Sequence, residues 1–168
     1  KEHQITKEQK LKLAEMYTCK DRFCPFCNWR RQLKYSKLVY EYLDELQSQK
    51  NLRYIFLTLT VPNCHIDDLR ATIQHMNKSF NKMTKTKAYK KAVLGHFKAL
   101  EILGDNTKGA EAHPHFHILL IVDKNYFTSK DYISQHEWRT MWTKALRVDY
   151  LAGVNIKKIK HKKNSNLT

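Results

Sequence analysis

The chain has 168 residues, of which 42% are hydrophobic, and its 31 Lys and Arg against 16 Asp and Glu give a formal net charge of +15 at pH 7. This length suits one ordinary domain with a real core, and no apolar run can cross a bilayer or act as a signal peptide. An enzyme that acts on neutral metabolites does not need such a strong positive electrostatic field, whereas a protein that binds a polyanion does. The composition therefore predicts a nucleic-acid partner and no membrane partner.

Two predicted helices flank a cysteine-rich loop in the first third of the sequence. The first is short and begins at Thr6, which forms a capping-box pattern with Gln9. The second runs from about Trp29 to Gln47. Residues 1–50 are expected to form an N-terminal extension of zinc-binding loop and helices, and 51–168 a core domain, the two making one compact unit. The apolar stripe of the long helix consists of Tyr35, Val39, Tyr42, Leu43 and Leu46.

Three of the four cysteines, Cys19, Cys24 and Cys27, lie within nine residues. Such close spacing is typical of metal binding rather than of a disulfide framework, and it indicates a reducing compartment such as the cytoplasm. The Cys-Pro-Phe-Cys segment also looks like a redox dithiol, but no buried strand precedes it and a third cysteine is present. We therefore expect a structural Zn²⁺. The first candidate for its fourth ligand is His3 and the second is Cys64. A residue upstream of this sequence is the third.

The rest of the chain alternates between strand and helix patterns. Period-two alternation predicts strands, and apolar residues at steps of three and four predict helices. Because neighbouring strands are linked by a hairpin, we expect an α+β fold with an antiparallel central sheet of about five strands and helices packed on it. The predicted strands are residues 53–61, 96–103, 113–122 and 154–159, and the predicted helices are residues 69–83 and 134–146.

The strand that starts near His113 carries alternating histidines, whose side chains point to one face. If the preceding hairpin closes around Lys108, Glu101 lies opposite His115, because the two numbers are symmetric about that residue. Glu101, His115 and His117 then project together. Two imidazoles and a carboxylate with open positions suit a catalytic divalent ion such as Mn²⁺, Mg²⁺ or Zn²⁺. His113 is interpreted as a residue supporting the ligands, a phosphate contact or an exposed residue.

Basic residues form three separate clusters, and no Asp or Glu occurs between Leu69 and Leu100. This distribution favours a wide nucleic-acid footprint over a single anion pocket. Nine Tyr, seven Phe and three Trp are available to stack on bases. The residues expected to contact DNA are Arg22, Arg30, Arg31 and Lys34, then Lys78, Lys82 and Lys85, and finally Lys157, Lys158 and Lys160.

Several motifs resemble one known family. The Pro-His-Phe-His-Ile-Leu-Leu segment at 114–120 resembles the signature of HUH endonucleases, and Phe-Leu-Thr-Leu-Thr-Val-Pro-Asn at 56–63 resembles their first motif. The cysteine segment at 19–31 and the Trp…Trp…Asp-Tyr stretch at 138–150 are similar to replication initiator (Rep) proteins of small rolling-circle plasmids. The resemblance covers nearly the whole chain in the same order.

This resemblance implies an HUH, RRM-like or ferredoxin-like fold that nicks one strand of a replication origin. It implies that a tyrosine hydroxyl attacks the scissile phosphate, leaving a 5′-phosphotyrosine and a free 3′-hydroxyl. Glu101, His115 and His117 would hold Mn²⁺ or Mg²⁺. The implied partners are origin DNA, as single strand or hairpin, and a host helicase.

In the family, the attacking tyrosine follows the last predicted strand, whereas this sequence ends at Thr168. Tyr126, Tyr132 and Tyr150 precede that strand and match other family positions. We therefore expect the nucleophile to lie beyond residue 168 and this chain to bind metal and DNA but to cleave poorly.

Three alternatives remain for the function. The first is a zinc-dependent DNA- or RNA-binding module without catalysis, which has no need for Glu101 opposite two histidines. The second is an HUH transposase or relaxase, for which the cysteine cluster is less expected. The third, a metal-dependent hydrolase of small substrates, fits poorly with the net charge of +15.

Overall fold

The computed structural model describes residues 17–21, 24–102 and 109–159. The chain divides into two compact units, Lys1–Ser48 and Gln49–Thr168. The predicted helix at Thr6, the ligand candidate His3 and the turn residue Lys108 lie outside the described residues, as do the predicted DNA contacts Arg22 and Lys160. Among the described residues, no helix combines the length and the apolar character needed to cross a membrane.

The first unit is dominated by helix α1, Pro25–Gln49. It begins four residues before the predicted start, because proline suits the first helical position, where no amide bond is lost. The amide of Asn28 donates to the carbonyl of Cys24 at 3.0 Å, which closes the first turn. Of the predicted apolar stripe, Tyr35 and Tyr42 are exposed, while the others are half-buried: Val39, Leu43 and Leu46.

The second unit contains a four-stranded antiparallel sheet in the order β3-β5-β1-β6. The α+β class is confirmed, with four strands in the sheet instead of about five. The strands and helices follow the β-α-β-β-α-β order of ferredoxin-like folds. The elements are β1 Leu52–Thr60, β2 Cys64–His65, α2 Leu69–Thr84, α3 Lys87–Ala92, β3 Gly95–Glu101, β4 Glu111–Ala112, β5 His115–Asp123, α4 Gln135–Leu146 and β6 Val154–Lys158.

Strands β2 and β4 form a separate two-stranded ribbon, with Cys64 opposite Ala112. Each has two residues, too few for an alternating pattern to predict. Strand β5 begins at His115, two residues after the predicted start, because Pro114 has no amide hydrogen for the ladder.

One face of the sheet packs against helices. Phe116 of β5 contacts both of them, with its ring centroid 6.0 Å from that of Phe80 in α2 and 6.4 Å from that of Trp142 in α4. Since side chains alternate along β5, His115 and His117 point to the opposite face. The fully buried sheet residues on the helix side are Ile55, Leu57, Leu59, Phe116, Ile118 and Leu120.

Helix α4 fixes the end of β1. Ser134 and Glu137 form the predicted capping box at its start. The buried indole of Trp142 donates from Nε1 to the carbonyl of Thr60 at 3.0 Å. The amide of Thr60 in turn donates to the carbonyl of Gly153, just before β6, at 2.9 Å. Thr60 therefore joins β1 to α4 and to the last strand.

Candidate metal centre and nucleic-acid interface

The pairing of β3 with β5 places Glu101 directly opposite His115, as the symmetric hairpin predicts. On the other side of β5, β1 places Thr58 opposite His117 and Thr60 opposite His115. Paired residues of a sheet point to the same face. Glu101 and both histidines therefore share the face that is turned away from α2 and α4.

The three side chains meet at their polar ends. Glu101 Oε2 lies 2.8 Å from His117 Nε2 and 3.2 Å from His115 Nε2, and the two Nε2 atoms are 3.1 Å apart. A carboxylate oxygen and the unprotonated nitrogens of two imidazoles can all bind a cation, so these three atoms are placed as a set of possible ligands. Two imidazole nitrogens and one carboxylate oxygen form a donor set that fits a divalent ion with open coordination positions.

Neighbouring groups orient both imidazoles. His115 Nδ1 donates to the carbonyl of His113 at 2.9 Å, and since a carbonyl only accepts, the lone pair of His115 is left on Nε2. His117 Nδ1 lies 3.3 Å from Thr58 Oγ1, and its ring stacks on Phe56 with centroids 5.2 Å apart. These contacts are of the kind that orient metal-ligating histidines. Both Nε2 atoms are therefore held towards Glu101.

Burial differs among the members of this cluster. The side chain of Glu101 is 54% exposed and that of His115 only 10%. The hydrogen bond from His117 lowers the pKa of Glu101, and the electrostatic effect of both histidines acts in the same direction. The cluster thus has a buried side at His115 and a side open to a ligand at Glu101.

His113, the third alternating histidine, lies beside this cluster but is not part of it. Its Nδ1 is 2.6 Å from Asn63 Oδ1, and Asn63 Nδ2 donates to Glu111 Oε2 at 3.2 Å. The sequence prediction did not include Asn63. Its contact with His113 depends on the β2–β4 ribbon, which no sequence pattern signals.

The three clustered cysteines come together at the start of α1. Their Sγ atoms all lie within 4.8 Å of one another, and those of Cys19 and Cys27 are 3.5 Å apart. A hydrogen bond from the backbone of Cys27 lowers the pKa of the Cys24 thiol, whereas burial raises the pKa of Cys27. A helix N-terminus stabilises thiolates, and three thiolates fit a zinc ion.

The described residues supply no fourth ligand to this group. His3 lies outside them. Cys64 belongs to β2, where it lines a cavity of about 390 Å³ together with Pro62, His75 and Tyr150. Cys64 therefore lies in the second unit and the three thiols lie in the first, and the identity of the fourth ligand stays a prediction.

Most of the described residues predicted to contact DNA are exposed. Arg30 and Lys34 lie exposed on α1, while Arg31 is half-buried and donates to Asn28 Oδ1 at 3.0 Å. The middle cluster is exposed as well: Lys78 and Lys82 lie on α2, and Lys85 directly follows its last residue.

The third basic cluster is divided by the strand that carries it. Lys157 lies opposite Phe56 and therefore shares the face of His117. Lys158 points to the other face, where its Nζ lies 4.5 Å from the ring centroid of Phe127. Of the two described lysines of this cluster, Lys157 is the one on the same face as Glu101, His115 and His117, which we call the metal-type cluster.

These features define a class: a ferredoxin-like α+β domain with a carboxylate and two histidines on the sheet face opposite α2 and α4. Within that class, residues 10–168 match the family model described as "Replication protein". The chain belongs to this replication protein (Rep) family, which confirms the resemblance that its motifs indicate.

Curated relatives agree with this assignment. The chain is 44% identical over 156 residues to "Protein rep" of a Bacillus species, covering 91% of this chain and 49% of the relative. It is 39% identical over 153 residues to "Protein rep" of Streptococcus pneumoniae serotype 2, covering 89% and 48%. It is 38% identical over 160 residues to "Protein rep" of Staphylococcus aureus, covering 95% and 69%. The chain spans about half the length of the first two relatives.

Proposed function

We propose that this chain is the DNA-nicking domain of a rolling-circle plasmid replication initiator that acts in the cytoplasm. The observation that carries the proposal is the convergence of Glu101, His115 and His117 on the sheet face of a replication family member. We assign residues 51–168 to the endonuclease core and residues 1–50 to a zinc-binding, DNA-contacting extension.

The chemistry assigned to this cluster is strand cleavage at a scissile phosphate. A divalent ion, Mn²⁺ or Mg²⁺, held by Glu101, His115 and His117 would polarise that phosphate and neutralise developing charge. The chain itself supplies the orientation: Thr58, Phe56 and the His113 carbonyl hold the two imidazoles in place. The open side at Glu101 gives the phosphate access.

The attacking tyrosine is assigned to a part of the protein outside these 168 residues. The chain covers about half the length of the Bacillus and Streptococcus pneumoniae relatives, so the remaining length can hold the nucleophile. In the whole protein, attack would leave a 5′-phosphotyrosine and a free 3′-hydroxyl.

The test is a cleavage assay on a single-stranded origin hairpin with added Mn²⁺. We expect the present chain to form no covalent DNA adduct on a denaturing gel, and a chain extended to the length of its relatives to form one. Glu101→Ala in the extended chain should abolish the adduct. A covalent adduct formed by the present chain would contradict the assignment of the tyrosine. DNA binding without any cleavage by the extended chain would instead favour the non-catalytic zinc-dependent module.

We further propose that Cys19, Cys24 and Cys27 hold a structural Zn²⁺. The three thiols within 4.8 Å at the start of α1 support this proposal. Purified protein should carry about one equivalent of zinc that is released when thiols are alkylated. Elemental analysis that finds no zinc would exclude the site.

A further inference from the structure

Helices α2 and α3 carry an uncompensated positive surface, which we call the lysine surface. It consists of Lys78, Lys82, Lys85, Lys87, Lys90 and Lys91, all exposed. Among the residues that the structure describes, none of the six has an ion-pair partner. No Asp or Glu occurs between Leu69 and Leu100 to balance them. Such a concentration of like charge destabilises a fold by self-repulsion unless a polyanion covers it.

The helix geometry arranges these lysines in line. Lys78, Lys82 and Lys85 are spaced four and three residues apart, and Lys85, the residue after α2, keeps helical backbone angles, so the three form one stripe about 10 Å long. The opposite side of α2 is buried in the core through Met76 and Phe80. The stripe therefore points away from the sheet. The α3 lysines continue the charge along the chain.

The composition of this surface distinguishes between two kinds of DNA. Proteins that bind single strands stack bases on exposed aromatic rings. Both aromatic residues of α2 and α3 are buried, Phe80 at 2% exposure and Tyr89 at 4%. The side chains between the lysines are small and polar, such as Asn81 and Thr84. Lysines and small polar groups contact phosphates without reading bases, which suits a duplex backbone.

The lysine surface is also separated from the metal-type cluster by the sheet itself. Helix α2 packs on the Phe116 face, whereas His115 and His117 occupy the other. A DNA segment bound at Glu101 therefore cannot contact Lys78 or Lys82 directly. DNA contacts that neutralise these charges would therefore lie on the helix side, apart from those at Glu101.

We propose that the lysine surface binds the phosphate backbone of duplex DNA, at a site separate from the strand at Glu101, His115 and His117. This inference rests on the proposed function in one respect, that the partner is DNA. It adds that duplex and single strand occupy opposite faces of one domain.

The experiment compares two triple variants of equal charge change by fluorescence anisotropy. Lys78, Lys82 and Lys85 are changed to Gln in one. The control changes three exposed lysines located elsewhere to Gln: Lys124, Lys130 and Lys144. The probes are a labelled mixed-sequence duplex of about 24 base pairs and an oligothymidylate of the same length, at roughly 50–300 mM NaCl. Thermal unfolding verifies that both variants fold.

The first variant should weaken duplex binding about a hundredfold at 0.15 M salt and reduce the slope of log K against log salt by about 2.7, for three lost phosphate contacts. Its affinity for oligothymidylate should stay within about threefold. The control should bind the duplex nearly as the unaltered chain does.

Four results would overturn the inference. The triple variant could lose equal affinity for both probes or keep the salt slope of the unaltered chain. The control variant could lose as much duplex affinity as the triple variant, or the unaltered chain could fail to bind the duplex. The proposed nicking function is judged separately, by cleavage of the single-stranded hairpin. A failure of cleavage leaves the duplex measurement fully able to decide on the lysine surface.

Discussion

Replacing Gly153 with alanine tests how the end of β1 is held beside the metal-type cluster. An added Cβ at Gly153 would overlap the Oγ1 atom of Thr60. Thr60 has little freedom to move, because its amide is bonded to Gly153 and its carbonyl to Trp142. Its side chain is also short and β-branched. The clash is therefore relieved by a forced rotation of Thr60 about χ1 or by a backbone shift between β1 and β6.

Overpacking of this kind destabilises a protein by about 1–3 kcal/mol. A loss near 2 kcal/mol lowers the midpoint of thermal unfolding by roughly 4–8 °C for a chain of this size. Thr60 lies opposite His115, so the same shift displaces one member of the cluster. We therefore also expect weaker Mn²⁺ binding by Gly153→Ala at a temperature where the variant is folded.

Calorimetry of four proteins checks the cause: the unaltered chain, Gly153→Ala, Thr60→Ala and the double variant. Thr60→Ala removes Oγ1 and leaves the Thr60 Cβ at 3.4 Å, an ordinary contact. The double variant should therefore recover most of the lost stability, with a coupling of about 1 kcal/mol or more. Additive effects, or no loss in Gly153→Ala, would refute the steric reasoning.

Three further predictions concern hydrogen bonding and titration. Trp142→Phe leaves the Thr60 carbonyl without its indole donor and a small void in the core, so urea unfolding should show a loss of about 1–3 kcal/mol; no loss would contradict that role. Thr58→Val removes the hydroxyl beside His117 Nδ1, and calorimetric titration should show Mn²⁺ binding about tenfold weaker, whereas an unchanged affinity would show that Thr58 does not orient the ring. Partial burial and a nearby lysine lower the pKa of His96 in the folded state. The unfolded state therefore takes up a proton more readily, so the stabilisation from neutral His96 is present above about pH 6.5 and is lost as pH falls towards the folded pKa. Urea midpoints between about pH 5 and pH 8 should fall on the acidic side less in His96→Gln than in the unaltered chain; parallel curves would contradict this.

The geometry of the cluster could be predicted because it depends on strand periodicity. A strand repeats every two residues, and a symmetric hairpin fixes which residues face each other. Glu101 and His115 are therefore paired in the structure as their numbering indicates. Their role as metal ligands stays a prediction.

Other features could not be read from the sequence because they depend on distant segments meeting. Asn63 and His113 are 50 positions apart in the sequence, and the two-residue strands β2 and β4 bring them into contact. Likewise, Lys157 and Lys158 are adjacent in a basic run, yet their side chains lie on opposite faces of the sheet. Charge composition alone predicts that both lysines belong to one surface. Because side chains alternate along β6, they belong to two.

The central claim is that Glu101, His115 and His117 together bind one divalent ion. The most direct measurement is titration of the chain, as purified, with Mn²⁺, followed by electron paramagnetic resonance that detects coupling to imidazole nitrogen. The matched control is His65→Ala, which removes an exposed histidine that is 3.1 Å from the carboxylate of Asp67 but belongs to no group of three ligands among the described residues.

We predict about one Mn²⁺ per chain with nitrogen coupling. Glu101→Ala and His117→Ala should each abolish the binding, and His65→Ala should leave it unchanged. Mn²⁺ affinity that is the same in Glu101→Ala as in the unaltered chain, or a spectrum without nitrogen coupling, would contradict the account.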